Sequence, residues 1–414
     1  MYKRDIYLSK IEKGFAQVPI VVLIGARQVG KTSLMNMFID GKNALSLIGQ
    51  DMEVAGLFQK LSNIEKYLET YLNEDLNGYL LIDEFQYINN ISTTLKLLTD
   101  KHNKLKILCS GSSSLDILQN VEESLAGRVR VIEVLSLSFS EYLLFNDEKI
   151  YNLYEKIDAD TENSALTNPI EQLFYEYLTY GGLPRAALDK NNENKIEVLD
   201  DIYQTYLIKD VRNYIKNENI VGFNKLLRLL AIQTGNLVNV NNLSKECGLT
   251  YKTVEEYISI LEQMYIIKLI EPYSSNKRNT IGKMKKIYFC DLGLRNMIEK
   301  NFGDIHFRVD KGAVFENYIL LELWRGKGTG GEVQFYRTYD GTEVDFVVRK
   351  IQETLAIECK FNVFEKPVYL KGFNQFCDDE NISSRFVVNK NLNINFNNNK
   401  YIQGFLVSKL LKFY

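Results

Sequence analysis

Histidine and cysteine are scarce in this chain of 414 residues. Only His102 and His306 are present, which argues against chemistry that depends on several histidines. The five cysteines (Cys109, Cys247, Cys290, Cys359, Cys377) are odd in number, scattered, and form no C-x-x-C pair. That pattern speaks against both a disulfide framework and a zinc site. Long apolar runs are also missing. The longest, around Val18–Ala26, is interrupted by Pro19 and Gly25 and is too short to span a bilayer. Met1-Tyr2-Lys3-Arg4-Asp5 leads into a polar stretch with no signal-peptide core, so the expected compartment is the cytoplasm. Nor is there an excess of one charge: 50 basic against 53 acidic residues give a net charge of −3. A protein that coats nucleic acid along its length is more basic, so any such contact must rest on local patches. The Asn-rich stretch from Asn389 to Lys400 carries alternating Leu392, Ile394 and Phe396, and reads as a polar surface strand or loop. There is no internal repeat.

What is present is an ordinary globular composition, 45% hydrophobic and 25% charged, long enough for two to four domains. Ile20-Val21-Val22-Leu23-Ile24 reads as a strand buried on both faces. It runs into Gly25-Ala26-Arg27-Gln28-Val29-Gly30-Lys31-Thr32, a full G-x-x-x-x-G-K-[ST] match, and then Ser33-Leu34-Met35-Asn36-Met37-Phe38, a helix. Strand, glycine loop and helix in that order are the context of a P-loop. The glycines let backbone N–H groups and the helix N-terminus surround a phosphate. Lys31 then reaches the β- and γ-phosphates, and the Thr32 hydroxyl binds Mg²⁺. Tyr79-Leu80-Leu81-Ile82-Asp83-Glu84 is a second buried strand, ending in two acids. Asp83 is expected to hold Mg²⁺ and Glu84 to polarise the attacking water. The expected cofactors are therefore ATP and Mg²⁺.

A third strand, Leu105–Cys109, leads to Ser110-Gly111-Ser112-Ser113-Ser114. Here the sequence resembles the AAA+-like ATPases of the STAND and archaeal-type group. The resemblance implies that Ser110 senses the γ-phosphate. It also implies that Arg128 of the Gly127-Arg128 pair is an arginine finger, in cis or on a neighbouring subunit of a homo-oligomer. Arg128 equally reads as a surface arginine before a strand at Val129–Val134. Tyr180-Gly181-Gly182-Leu183-Pro184-Arg185 resembles the group's Gly-Leu-Pro signature in the helical lid, which implies that Pro184 packs near the base. A plain helix–turn is the alternative.

Phe174 to Ile215 is helical in pattern and suits such a lid. Phe223–Ile232, Val240–Cys247 and a third helix capped by Thr250, with Val254, Ile258, Leu261 and Tyr265 on one face, make a helix-turn-helix. Ile266–Ile270 and Lys286–Cys290 suit the strands of a wing. Lys277, Arg278, Lys283, Lys285 and Lys286 form the most basic part of the chain, able to grip phosphates. Glu255 and Glu256 at the start of the third helix repel them, so the element reads as a DNA-backbone contact or as a protein–protein module.

Further on, Phe315–Leu323 is a helix bearing Glu316 early. The segment Glu343-Val344-Asp345-Phe346-Val347-Val348 and then Leu355-Ala356-Ile357-Glu358-Cys359-Lys360 read as two strands. Alternation puts Glu358 and Lys360 on one face, and a hairpin brings Asp345 level with them. This resembles the PD-(D/E)xK nuclease fold. The resemblance implies that Asp345 and Glu358, with Glu316 above, bind Mg²⁺ while Lys360 orients the water or stabilises the phosphate. A sheet whose charges pair with one another is the alternative.

The expected architecture is α/β: a P-loop ATPase domain over residues 1–150, a helical lid over 151–215, a winged helix over 216–300 and a nuclease-like domain over 301–414. The expected function is ATP binding and hydrolysis that controls a DNA-interacting or nuclease-like module, with no membrane partner. The alternative is a STAND-like switch that recruits protein partners without cleaving DNA.

Overall fold

A computed structural model describes residues 4–111, 125–157, 164–210, 215, 219–274, 284–338 and 341–410. They fall into two units, Met1–Ser136 with Gln263–Tyr265 and Leu137–Glu262 with Ile266–Tyr414. Ser112, Ser113, Ser114, Lys277, Arg278 and Lys283 lie outside the described residues.

The first unit is built on strands β1 (Ile20–Ile24), β2 (Ala44–Ile48), β3 (Gly78–Asp83), β4 (Leu105–Gly111) and β5 (Val129–Glu133). They pair in the order β2-β3-β4-β1-β5, every pair parallel. An all-parallel sheet is covered on both faces, which is why β1 is a solid aliphatic run with no residue more than 1% exposed. The helix Lys31–Ile39 turns Leu34, Met35 and Phe38 inward, and the Phe38 ring lies 5.6 Å from Phe15 and 5.5 Å from Tyr79. Because all strands run the same way, their carboxyl ends share one edge. Since β4 separates β3 from β1, Asp83, Ser110 and the loop after Ile24 arrive there side by side. Ligands of open α/β sheets collect at that edge.

The second unit begins with helix Phe139–Asn146, started by a capping box between Ser138 and Glu141. Helices Ser164–Tyr180, Pro184–Ala187 and Asn192–Ile202 follow. Helices Ile220–Ile232, Val240–Cys247 and Tyr251–Gln263 come next, and then an antiparallel hairpin of β6 (Ile267–Ile270) and β7 (Lys286–Phe289). Gly248 closes the middle helix at φ 66°, and the Thr250 hydroxyl accepts the Thr253 N–H at 3.1 Å.

A mixed sheet ends the chain, with β8 (Glu332–Arg337), β9 (Glu343–Arg349), β10 (Thr354–Cys359), β11 (Ser384–Asn389), β12 (Ile394–Phe396) and β13 (Asn399–Gln403) in the order β12-β13-β11-β10-β9-β8. The helix Lys311–Gly326 packs against β8, β9 and β10. It also holds β7: the Asn317 amide accepts the Phe289 N–H at 2.7 Å and donates to the Phe289 carbonyl at 2.8 Å. The Asn-rich stretch is not wholly at the surface. Asn389 is fully buried and donates to Leu392 and Ile402 carbonyls at 3.1 Å each, fastening the turn between β11 and β12 to β13. Among the described residues no helix is long and apolar enough to cross a membrane.

Candidate functional site

The loop after β1 has a geometry that only its glycines permit. Gly25 sits at φ +152°, and a Cβ there would lie 2.1 Å from the Val134 carbonyl oxygen. Gln28 and Gly30 are also left-handed, at φ 63° and 92°, so the chain curls before entering the helix. No side chain caps the helix Lys31–Ile39, which leaves its first N–H groups facing the loop. Gln28 Oε1 is buried there without a hydrogen-bond partner. Val29 is buried, and its carbonyl accepts Arg4 Nη1 at 3.0 Å while Arg4 Nη2 reaches the Leu135 carbonyl at 3.0 Å. Arg27 is more open and donates to the Tyr87 hydroxyl at 3.3 Å. Ala26 and Ser33 are half-buried.

Lys31 is 6% exposed and donates to the Gly25 carbonyl at 2.9 Å and the Ala26 carbonyl at 2.8 Å. Burial pulls its pKa down to about 8, against the opposing pull of Glu84 and Asp83. Its partners are neutral carbonyls, so a phosphate offers this ammonium a stronger interaction than it now has. The Thr32 hydroxyl donates to Asp83 Oδ2 at 2.6 Å, and the Ser110 hydroxyl donates to Asp83 Oδ1. The start of the helix after the loop and the ends of β3 and β4 thus meet on one carboxylate. Glu84 takes φ 50°, and its carboxylate accepts Gln86 Nε2 at 2.5 Å. The cradle, the uncapped helix and the Thr32–Asp83 oxygens fit a nucleotide phosphate with a hard divalent cation.

Arg128 is not brought to this loop. It forms a two-pronged pair with Asp100, Nε to Oδ1 at 2.7 Å and Nη2 to Oδ2 at 3.2 Å. It precedes Val129, which pairs with Ile20, the first residue of β1, whereas the P-loop follows Ile24. The strand's rise puts roughly 15 Å of sheet between them. The expectation of a finger in cis is corrected accordingly. Pro184 belongs to the second unit and opens the short helix Pro184–Ala187. Gly181, at φ +74°, has the Gly293 nitrogen 2.4 Å from where its Cβ would be, and the Gly182 N–H donates to Asp291 at 2.9 Å. Close packing on the start of helix Leu292–Glu299 therefore accounts for this glycine pair.

The second constellation is the carboxylate cluster of the C-terminal sheet. Ile357 pairs with Phe346 across the β9–β10 hairpin, which brings Asp345 to the level of Glu358, and the Cys359 N–H donates to Asp345 Oδ2 at 2.8 Å. Lys360 Nζ sits 2.6 Å from Glu358 Oε1, while Glu358 Oε2 is buried with no partner. Glu316 accepts the Tyr288 hydroxyl at 2.6 Å. Burial, reinforced by Asp345, pushes Glu358 up to about 8 and Glu316 up to about 7. Burial also raises Asp345, against Lys286 and the Cys359 N–H. Lys360 is pulled down by burial but held above its ordinary value by Glu358.

Lys286 departs from the phosphate-gripping role expected of it. It is 2% exposed, and its ammonium lies 2.6 Å from Glu343, 3.2 Å from Glu316 and 4.0 Å from Asp345. Burial would lower its pKa, yet the three carboxylates hold it above the usual lysine range. The reason is alternation. Lys286 opens β7 with its side chain on the inner side, whereas Lys285 points outward and pairs with Glu271 at 3.0 Å. Carboxylate oxygens are the right donors for Mg²⁺ or Mn²⁺. Among the described residues, however, no three His, Cys, Asp or Glu side chains are grouped to hold a metal ion. The donor chemistry fits a divalent cation, while the present spacing is set by ammonium groups.

Neither Arg4 nor Lys286 was assigned these partners from sequence. A charge beside an apolar strand was the only available signal for Lys286, and nothing in the pattern marked Arg4.

Comparison with known proteins gives three family matches. Residues 17–143 match the AAA domain, 171–304 a domain of unknown function (DUF8612) and 311–405 another domain of unknown function (DUF4143). The first unit is accordingly a P-loop ATPase domain of the AAA type. The chain is similar, at 27% identity over 87% of its length and 79% of the relative's, to uncharacterized protein MJ1544 of Methanocaldococcus jannaschii. It is 23% identical to an uncharacterized protein of Haemophilus influenzae over 88% of each chain. Among solved structures it is similar to the Walker-type ATPase PABY2304 of Pyrococcus abyssi, with TM-score 0.49, 13% identity, and coverage of 72% of this chain and 96% of that one.

Proposed function

We propose that the chain binds ATP with Mg²⁺, hydrolyses it, and uses its nucleotide state to control a nucleic-acid-handling C-terminal module. The observation that carries this is the convergence of Thr32 and Ser110 on Asp83, beside Lys31 on an uncapped helix. Bound Mg²⁺ would neutralise charge on the β- and γ-phosphates. Thr32 and Asp83 supply its protein oxygens, the loop from Gly25 to Gly30 wraps the phosphates, and Lys31 exchanges two carbonyls for them. Ser110 fixes the Asp83 carboxylate, and Glu84 takes the proton of the attacking water. In the C-terminal sheet, Asp345, Glu358 and Glu316 are the carboxylates suited to a cation and Lys360 the lysine suited to a scissile phosphate.

A second reading, a nucleotide-held switch that recruits protein, draws support from the engagement of Glu84 by Gln86. A base tied to an amide turns over slowly. ATPase rates with and without single- and double-stranded DNA, alongside cleavage in Mg²⁺ and Mn²⁺, separate the two. Repeated turnover stimulated by DNA fits the first reading, and tightly held nucleotide with negligible turnover fits the switch. Lack of any ATP binding overturns both.

A further inference from the structure

The carboxylate cluster contains a cation from another part of the chain. Its acids come from the helix Lys311–Gly326 and from the β9–β10 hairpin, whereas Lys286 comes from β7 of the preceding winged-helix hairpin. Glu316, Glu343, Asp345 and Glu358 face Lys286 and Lys360, and Arg337 reaches the outer oxygen of Glu343 at 3.3 Å. Lys286 touches three of these acids and is closed over by the Phe335 ring, 5.5 Å from Nζ. An ammonium that is almost fully buried among carboxylates is stable only while they remain, and they are stable only while it does. A divalent ion entering between Glu316 and Asp345 would meet that ammonium at contact distance, and like charges so close exclude each other. The backbone of β7 is itself fixed, since Asn317 grips both polar groups of Phe289.

We propose that Lys286 is the resident counter-ion of this site: it occupies the place of a divalent cation, and the cluster takes metal only when the β7 lysine withdraws. This rests on reading the cluster as a cation site. The winged-helix hairpin thereby becomes part of the C-terminal site rather than a separate phosphate grip. Because Asn317 holds the β7 backbone, withdrawal is a change of the lysine side chain alone, and metal loading is coupled to that side chain's position.

The test is Mn²⁺ binding to the nucleotide-free full chain, followed by electron paramagnetic resonance of the free ion, in proteins carrying Asp83→Asn to remove the P-loop contribution. Lys286→Met is expected to bind one Mn²⁺ on the order of tenfold or more tighter than its Lys286 parent. Adding Asp345→Asn should abolish the gain. Mn²⁺ should also raise the melting temperature of Lys286→Met more than that of the parent. If the parent already binds as tightly as Lys286→Met, the counter-ion proposal fails while the cation-site reading stands. If neither protein binds, the cation-site reading fails and the proposal with it. Should Lys286→Met not fold, Lys286→Gln removes the charge, keeps a donor for the buried carboxylates and leaves Glu316, Asp345 and Glu358 in place. A severalfold gain in Mn²⁺ affinity is expected there, and unchanged affinity overturns the proposal.

Discussion

Two places in this chain bring lysines and carboxylates to strand ends, and they treat the lysine oppositely. Lys31 is buried against neutral carbonyls, and burial dominates, so its pKa falls to about 8. Lys286 is buried against three acids, which outweigh the same desolvation and push its pKa upward. The first ammonium has an unmet electrostatic demand that an anionic ligand satisfies. The second has its anions already. A buried lysine beside acids is therefore not one kind of site: what it is bonded to decides whether it awaits a ligand or replaces one.

The largest expected effect breaks the first half of that contrast. Lys31→Ala removes the ammonium bonded across the loop, and ATP affinity measured by calorimetry should fall by about 100-fold or more, a loss of two charge-assisted hydrogen bonds. Glu84→Gln sharpens it, because binding should persist while the hydrolysis rate drops by about 100-fold. Unchanged affinity in the lysine variant would remove the P-loop assignment.

Gly25→Ala addresses the shape of the cradle rather than its charge. With a Cβ forced to 2.1 Å from the Val134 oxygen, the loop must shift, at a cost of about 3 kcal/mol in thermal stability. An unaltered melting curve would mean that the loop relaxes freely. Arg4→Met acts on the same loop from behind. It strands the Val29 and Leu135 carbonyls in a buried setting, costing about 2 kcal/mol and weakening ATP severalfold. Equal affinity in that variant would show that Arg4 supports the fold without pre-forming the loop.

The two sites were not equally legible in the sequence. The P-loop could be read because its chemistry lies in consecutive residues between a strand and a helix, and β1 and β3 are apolar enough to identify as buried. The level placement of Asp345 and Glu358 followed from strand period together with the expected hairpin. What escaped was long-range. Arg4 lies 131 residues from Leu135 in sequence, and Lys286 is separated by 30 residues from Glu316 and by more from Glu343. A lysine in a basic stretch looks like a phosphate contact until the strand's alternation is known to point it inward. Arg128 shows the opposite limit for a role in cis. A Gly-Arg pair carries a local signal, but the parallel direction of β5 leaves Arg128 at the amino end of the sheet, opposite the P-loop that follows β1.

The smallest effect concerns the protons of the C-terminal cluster. Glu358 has its pKa raised from 4.5 to about 8 by burial and by Asp345, so the folded protein keeps a proton that the unfolded chain releases above pH 4.5. Unfolding between those limits sheds the proton, and stability therefore falls as pH rises from about 4.5 to about 8. Lys286 and Lys360 are raised from 10.5, so both states keep them charged throughout that window and they add no slope. Glu316, raised to about 7, contributes in the same direction as Glu358. Glu358→Gln mimics the protonated acid and should reduce the slope without abolishing it. Calorimetry should find the variant close to the native protein at pH 5 and about 3 °C more stable at pH 8. If the difference is the same at both pH values, Glu358 is ionised in the folded protein. The two sites would then differ in their partners but not in how burial treats their charges.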